Sequence, residues 1–299
     1  MNIGAILKLV RPPNVFTAFA DAIAGLLIAR AAGVDIAGSE CLLILASGCL
    51  YLAGIVFNDI FDRDIDAQER PERPIPSGAV SLRLASALGT GLIGVGLGLA
   101  WSVSTESGLI GVALIAAIFA YDGFSKHHAI GPVNMGLCRS LNFLLGLSPM
   151  LAAGGTWAEL PLTGPIVLGL YVCCLTYIAR DEVQGNSVQR ARRGLIAMAA
   201  VAGLSLVAVV WCPHAPKSVW AWPWIVAVLV MAYRNWSPLW AEEAATSGRT
   251  TGRAIGGGIL LIPIIDAAIS ATMGEPFWAL AVAGLAVPAV ILKSWFSPT

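Results

Sequence analysis

A chain that crosses hydrocarbon must satisfy its own backbone hydrogen bonds, and an apolar run of about 17–25 residues does so as a helix. Such runs recur here near residues 14–33, 40–58, 82–104, 107–123, 132–153, 163–180, 194–212, 218–235, 254–272 and 276–296. Turn-forming residues separate them, among them Gly38-Ser39, Gly154-Gly155, Pro213 to Pro216 and Gly274-Glu275-Pro276. The pattern predicts an all-α, polytopic membrane bundle of nine to ten transmembrane helices. With no long linker or low-complexity tract, residues 1–299 read as one domain. The first run follows Lys8 and Arg11 as a signal peptide would, but the chain beyond it is apolar, so it reads as a retained helix. Composition agrees: 57% of residues are hydrophobic and 12% charged, against about 25% charged in soluble domains.

Counting Lys and Arg on alternate sides of these segments places all but Arg30 and Lys217 of the eighteen on one side. That bias predicts cytoplasmic termini in a plasma (inner) membrane protein. Formal net charge is zero, which gives no sign of a nucleic-acid partner. The six cysteines lack zinc or CxxC spacing, and the adjacent Cys173-Cys174 reads as small core residues.

Against this background one stretch stands out. Asn58-Asp59-Ile-Phe-Asp62-Arg63-Asp64-Ile-Asp66 holds four acids in nine positions and runs on to Arg70-Pro-Glu-Arg73-Pro-Ile-Pro-Ser-Gly78. If the preceding helix continues, Asp59, Asp62 and Asp66 share one face at i, i+3 and i+7. Gathered carboxylates repel one another and need a cation. Hard oxygen ligands suit Mg2+, which completes its shell with substrate phosphates. The same sidedness brings Tyr121-Asp122-Gly-Phe-Ser-Lys126-His127-His128, Arg139 and the loop Arg180-Asp181-Glu182-Val-Gln184-Gly185-Asn186 to that surface. Metal-binding acids beside cations suit a diphosphate leaving group, whose developing charge both stabilise.

These residues resemble the UbiA family of intramembrane prenyltransferases. The likeness rests on Asn58-Asp59-x-x-Asp62-x-x-x-Asp66, then Arg70-x-x-Arg73-Pro-x-x-x-Gly78 and Ser81, with Lys126, Gly131, Gly136 and Arg11-Pro12 in support. It implies a helical bundle around a central cavity open to lipid, in which a prenyl diphosphate ionises with the help of Mg2+ and an acceptor captures the allylic cation. It also implies metal ligation by Asn58, Asp59, Asp62 and Asp66, with Asp181 and Glu182 as the second acidic site. Arg70, Arg73, Lys126, Arg139 and Arg180 would hold the diphosphate, and Asp62, Asp66 and Lys126 would carry the catalytic roles. The second acidic loop departs from the family pattern: Asp181 and Glu182 are adjacent, so on a helix they point about 100° apart.

Two acids lie at membrane depth. Asn14, Thr17 and Asp21 share a face of the first segment, and Asp266 sits in the ninth. Intramembrane acids usually face a bundle interior or a polar cavity, so Asn14 and Asp21, with Asp266, are candidates for the acceptor cavity. A neutral Asp bonding helix to helix is the plainer reading. His127-His128 has no third ligand at useful spacing and reads as a loop feature. Gly89-Thr-Gly91-Leu-Ile-Gly94 follows no strand and reads as helix packing. Trp220, Trp222, Trp224, Trp236 and Trp240 read as an aromatic belt. A CDP-alcohol phosphotransferase is disfavoured because Phe124-Ser125-Lys126-His127 breaks its motif after Asp122-Gly123. A non-catalytic protein that binds or exports a lipid-linked or polar metabolite is the alternative.

Overall fold

The structure, a computed structural model, describes residues 3–36, 38–180, 221–240 and 248–296. Asp181, Glu182 and the run expected at 194–212 lie outside the described residues. Every regular element among the described residues is a helix, as hydrocarbon requires. Its order is α1 (Ile3–Val10), a 3-10 turn (Pro12–Asn14), α2 (Val15–Ala31), α3 (Leu42–Phe61), α4 (Arg63–Glu69), α5 (Leu82–Val103) and α6 (Thr105–Ala120). A π turn (Tyr121–Ser125) leads to α7 (Gly131–Leu147), α8 (Pro149–Ala152) and α9 (Thr163–Ala179). Then come α10 (Trp222–Trp236), α11 (Gly248–Leu260), α12 (Ile262–Thr272), α13 (Ala279–Gly284) and α14 (Ala286–Phe296).

Among the described residues five helical stretches are long and apolar enough to cross a membrane: Ile3–Ala31, Leu42–Phe61, Leu82–Val103, Thr105–Ser125 and Gly252–Thr272. Shorter apolar helices run over Thr163–Ala179 and Ala279–Leu292. These bounds fall within a few residues of the expected runs. Three differences have local causes. Helix α1 precedes the first expected run and buries Ala5 and Leu9 on one face, against Val56, Val80 and Ala85. The run expected at 132–153 is divided by Ser148-Pro149, and that at 254–272 by Leu261, two residues before Pro263. In both, proline closes a helix from which it would remove a hydrogen bond. Trp236, expected in the aromatic belt, is instead buried in the core beside Leu175 and Ile178.

Close backbone approach brings α7 against two partners at once. A Cβ on Gly146 would lie 2.2 Å from the Ala22 carbonyl oxygen of α2, and one on Gly136 2.4 Å from the Gly169 oxygen of α9. Only glycine allows helix axes this near. Of the three glycines in the Gly89–Gly94 motif, Gly89 packs on Phe57, while Gly91 and Gly94 face open space.

Candidate active site

The motif around Asn58 straddles a helix junction. Helix α3 ends at Phe61 and α4 starts at Arg63, yet the chain barely turns, because Asp62 N still bonds Asn58 O (3.0 Å) and Asp66 N bonds Asp62 O (2.8 Å). Asp59 and Asp66 are buried and Asp62 half-buried. Beyond α4 the Arg70 to Gly78 tail forms a knot of turns. Gly78 takes φ 74, a value that disfavours a side chain, and Val80 N closes onto Pro74 O at 2.9 Å. The knot ends at Ser81, which caps α5 by accepting from Leu84 N.

This knot aims Arg73 back at the acids. Its guanidinium donates to Asp66 at 2.5 Å and to Asp59 at 3.4 Å. From the other side Arg11 donates to the same Asp59 oxygen at 2.5 Å. Arg11 is the one non-glycine residue with positive φ among the described residues (46°), in a left-handed conformation ahead of Pro12-Pro13. Lys126 ion-pairs with Asp62. It follows the π turn, whose closing bond is Lys126 N to Tyr121 O at 2.9 Å. That turn also swings Asp122 inward, where it accepts from Asn58 Nδ2 at 2.7 Å. Arg180 donates to His127 O at 3.2 Å and so joins the Lys126 loop. Arg70 is exposed, with no side-chain partner among the described residues.

Asn58, Asp59, Asp62, Asp66, Arg73, Lys126 and Arg180 therefore gather at one end of the bundle, together with Arg11 and Asp122. In the sequence Arg11 is marked only by the Pro12 that follows it and by its place among the cytoplasmic-side cations. Asp122 lies in the loop expected at this surface, and its position four residues before Lys126 is the one sequence mark of its role. Arg139 does not join this group. It lies in the interior, 6% exposed, where it donates to Asp21 (2.6 Å) and to Thr17 O (2.9 Å) and stacks over Tyr51 at 5.8 Å. Tyr51 precedes Asp59 by eight residues on α3, about 12 Å of helix. Asn142 completes the interior network. It donates to Asp21 at 2.8 Å and to Ala18 O at 3.0 Å, and accepts from Ser47 at 2.7 Å. Asn14 is half-buried at the mouth of this face, and its carbonyl accepts from Thr17.

A family model, UbiA prenyltransferase family, matches residues 18–256, well over half of the chain. The chain belongs to the UbiA prenyltransferase family. UbiA proteins are integral membrane proteins, as the apolar spans require. The chain is 30% identical to a digeranylgeranylglyceryl phosphate synthase of Sulfolobus acidocaldarius over 189 residues, 62% of this chain and 64% of that one. It is 35% identical to the Saccharolobus solfataricus protein of the same name over 118 residues, covering 40% of this chain and 41% of that. The aligned stretches thus span less than two thirds of these relatives. In fold it is similar to a UbiA homologue from Aeropyrum pernix K1, with a TM-score of 0.70 at 18% identity over 86% of this chain and 96% of that. It is also similar to one from Archaeoglobus fulgidus bound to DMAPP and Mg2+, with a TM-score of 0.59 at 14% identity over 86% and 98%.

Among the described residues no three acids, histidines or cysteines form a ready-made metal cage. The donor set nonetheless fits Mg2+. This ion commonly takes one or two carboxylates plus substrate oxygens, and Asp59 and Asp66 lie within reach of one guanidinium. Their present partners are basic side chains, which a divalent ion can replace.

Proposed function

We propose that this chain transfers a prenyl group from a prenyl diphosphate to a small acceptor in a Mg2+-assisted reaction at the cytoplasmic face of the membrane. The observation that carries the reading is the interleaving of Asp59, Asp62 and Asp66 with Arg11, Arg73 and Lys126 at one end of the bundle. The relatives named as digeranylgeranylglyceryl phosphate synthases and the fulgidus homologue that binds DMAPP and Mg2+ support it. So does the positive-inside count, which assigns this end to the cytoplasm.

Asn58, Asp59, Asp62 and Asp66 would hold Mg2+, with Asp181 and Glu182 as the expected second site. The ion supplies charge neutralisation at the phosphate oxygens. Relieved of their carboxylates, Arg73, Lys126 and Arg11 turn to the diphosphate, assisted by Arg180 and Arg70. They stabilise the charge that builds as the C–O bond breaks and its electron pair leaves with diphosphate. The allylic cation is captured by the acceptor nucleophile, which then loses its proton. Nine to ten helices around a cavity open to lipid would house the prenyl tail. Asn14 and Asp21 line the path to the acceptor, and Arg139 orients Asp21 rather than holding diphosphate.

The test is diphosphate release by purified protein with Mg2+, a panel of prenyl diphosphates and candidate acceptors. Asp62→Ala and Asp66→Ala should abolish release. Unchanged turnover in either variant sinks the assignment, and no turnover with any acceptor favours a binding or export role.

A further inference from the structure

Two carboxyl groups and one guanidinium meet in the bundle interior, shielded from bulk solvent. Asp21 and Asp266 are 0% exposed. Asp21 has a donor on each oxygen, one from Arg139 and one from Asn142. Asp266, on α12, is not. It lies against Asp21 and interacts electrostatically with Arg139. Yet among the described residues neither of its oxygens meets a donor, and Arg139 Nε meets no acceptor. Buried polar atoms without partners are rare, and each asks for a proton, an ion or a ligand. One proton shared between the acids satisfies a single contact. The second Asp266 oxygen and the Nε–H still lack partners.

The missing partners select a chemistry. Asp266 needs a donor and Arg139 Nε needs an acceptor. A phosphate dianion or a carboxylate offers acceptors alone, and an ammonium offers donors alone; a hydroxyl provides both from one oxygen. Charge points the same way. Two carboxyls against one guanidinium leave no spare positive charge for an anionic head group, and uncompensated charge at membrane depth is costly. Asn14 and Thr17 continue the polar face of α2 towards the acidic end, so a ligand reaching between the two levels meets hydrogen-bonding groups along its length.

We propose that Asp21, Arg139 and Asp266 recognise the hydroxyl groups of an uncharged polyol acceptor, so that this chain prenylates a neutral polyhydroxylated molecule and discriminates against phosphate-bearing ones. The proposal rests on the prenyl-transfer reading above. Access opens the seam between α2 and α12, which meet through Ala20, Ala267 and Ala271.

The experiment uses full-length protein in nanodiscs with Mg2+ and geranyl diphosphate. Myo-inositol and glycerol serve as neutral probes, and glycerol 1-phosphate as the anionic one. Transfer to a neutral probe should exceed transfer to glycerol 1-phosphate at least tenfold. Asp266→Leu should raise the KM for the neutral probe tenfold or more, and myo-inositol should raise the melting midpoint of wild type but not of this variant. Should Asp266→Leu fail to fold, Asp266→Asn, which keeps a polar contact to Asp21 and one acceptor oxygen, decides through a KM raised at least threefold. Preference for glycerol 1-phosphate, an unchanged KM, or no melting shift with myo-inositol overturns the proposal. Loss of Asp62-dependent diphosphate release instead overturns the prenyl-transfer reading, and the melting shift then still decides the polyol site.

Discussion

Replacing Gly146 by alanine tests whether backbone contact between α2 and α7 sets the geometry of the interior polar network. The added Cβ would lie 2.2 Å from the Ala22 carbonyl oxygen, with Ala22 C and Cα at 2.9 and 3.0 Å. A carbon–oxygen contact normally settles near 3.4 Å, so the helices must part by about 1.2 Å. Carried seven residues along α7 to Arg139, the same displacement stretches its 2.6 Å bond to Asp21 beyond hydrogen-bonding range. Overpacking costs about 1–3 kcal/mol, and the two cross-helix bonds to Asp21 add about 0.6 kcal/mol each. The sum is about 2–4 kcal/mol. Gly91→Ala is the control, since nothing lies within 4 Å of its Cβ. It should be neutral or gain up to about 1 kcal/mol from helix propensity. Unfolding by SDS in mixed micelles, followed by tryptophan fluorescence, should separate the two variants by about 3 kcal/mol. A separation under about 1 kcal/mol would refute the close-approach argument.

Two further outcomes are expected. Arg73→Gln strips the cation from buried Asp66 and one of two from Asp59, which should destabilise by about 3–5 kcal/mol. Added Mg2+ should then raise the melting midpoint more than it does for wild type; an equal shift would deny that metal and Arg73 compete for these carboxylates. Sidedness can be read from Cys41, exposed before α3 at the end opposite Asp59. In a background lacking the other five of the six cysteines, an impermeant maleimide should label it from outside intact cells and not in inside-out vesicles.

Helix positions were legible because hydrocarbon leaves so few options: the apolar runs at 40–58, 82–104 and 163–180 match α3, α5 and α9 within three residues. Helix α1 escaped notice because eight residues cannot form a spanning run. At the site, the spacing of Asp59, Asp62 and Asp66 foretold that they would lie at one end of the bundle, since helical bonding runs on through Asp62, though not which cation each would meet: Asp59 and Asp66 share Arg73 while Asp62 pairs with Lys126. Arg139 shows where such reading fails. Its place near the expected cytoplasmic start of a segment suggested a phosphate ligand, but helix spacing does not reveal a side chain's partner, and Gly146 brings Asp21 close enough to claim it. Asp122 was hidden for a related reason. Only the extra residue of the π turn rotates it towards Asn58, and no periodicity reports a π turn.

The contact between α2 and α12 joins parts of the chain some 245 residues apart, the separation of Asp21 and Asp266. A protein inserted from its N-terminus therefore carries Asp21 into the bilayer well before its α12 partner is made. Arg139 and Asn142 arrive first and can shelter Asp21 as an intermediate. Closure of the bundle must wait for the last helices, so its completion is an event of late synthesis. Truncations before Ile262 should leave Asp21 inserted and held by Arg139 and Asn142, but without its α12 neighbour.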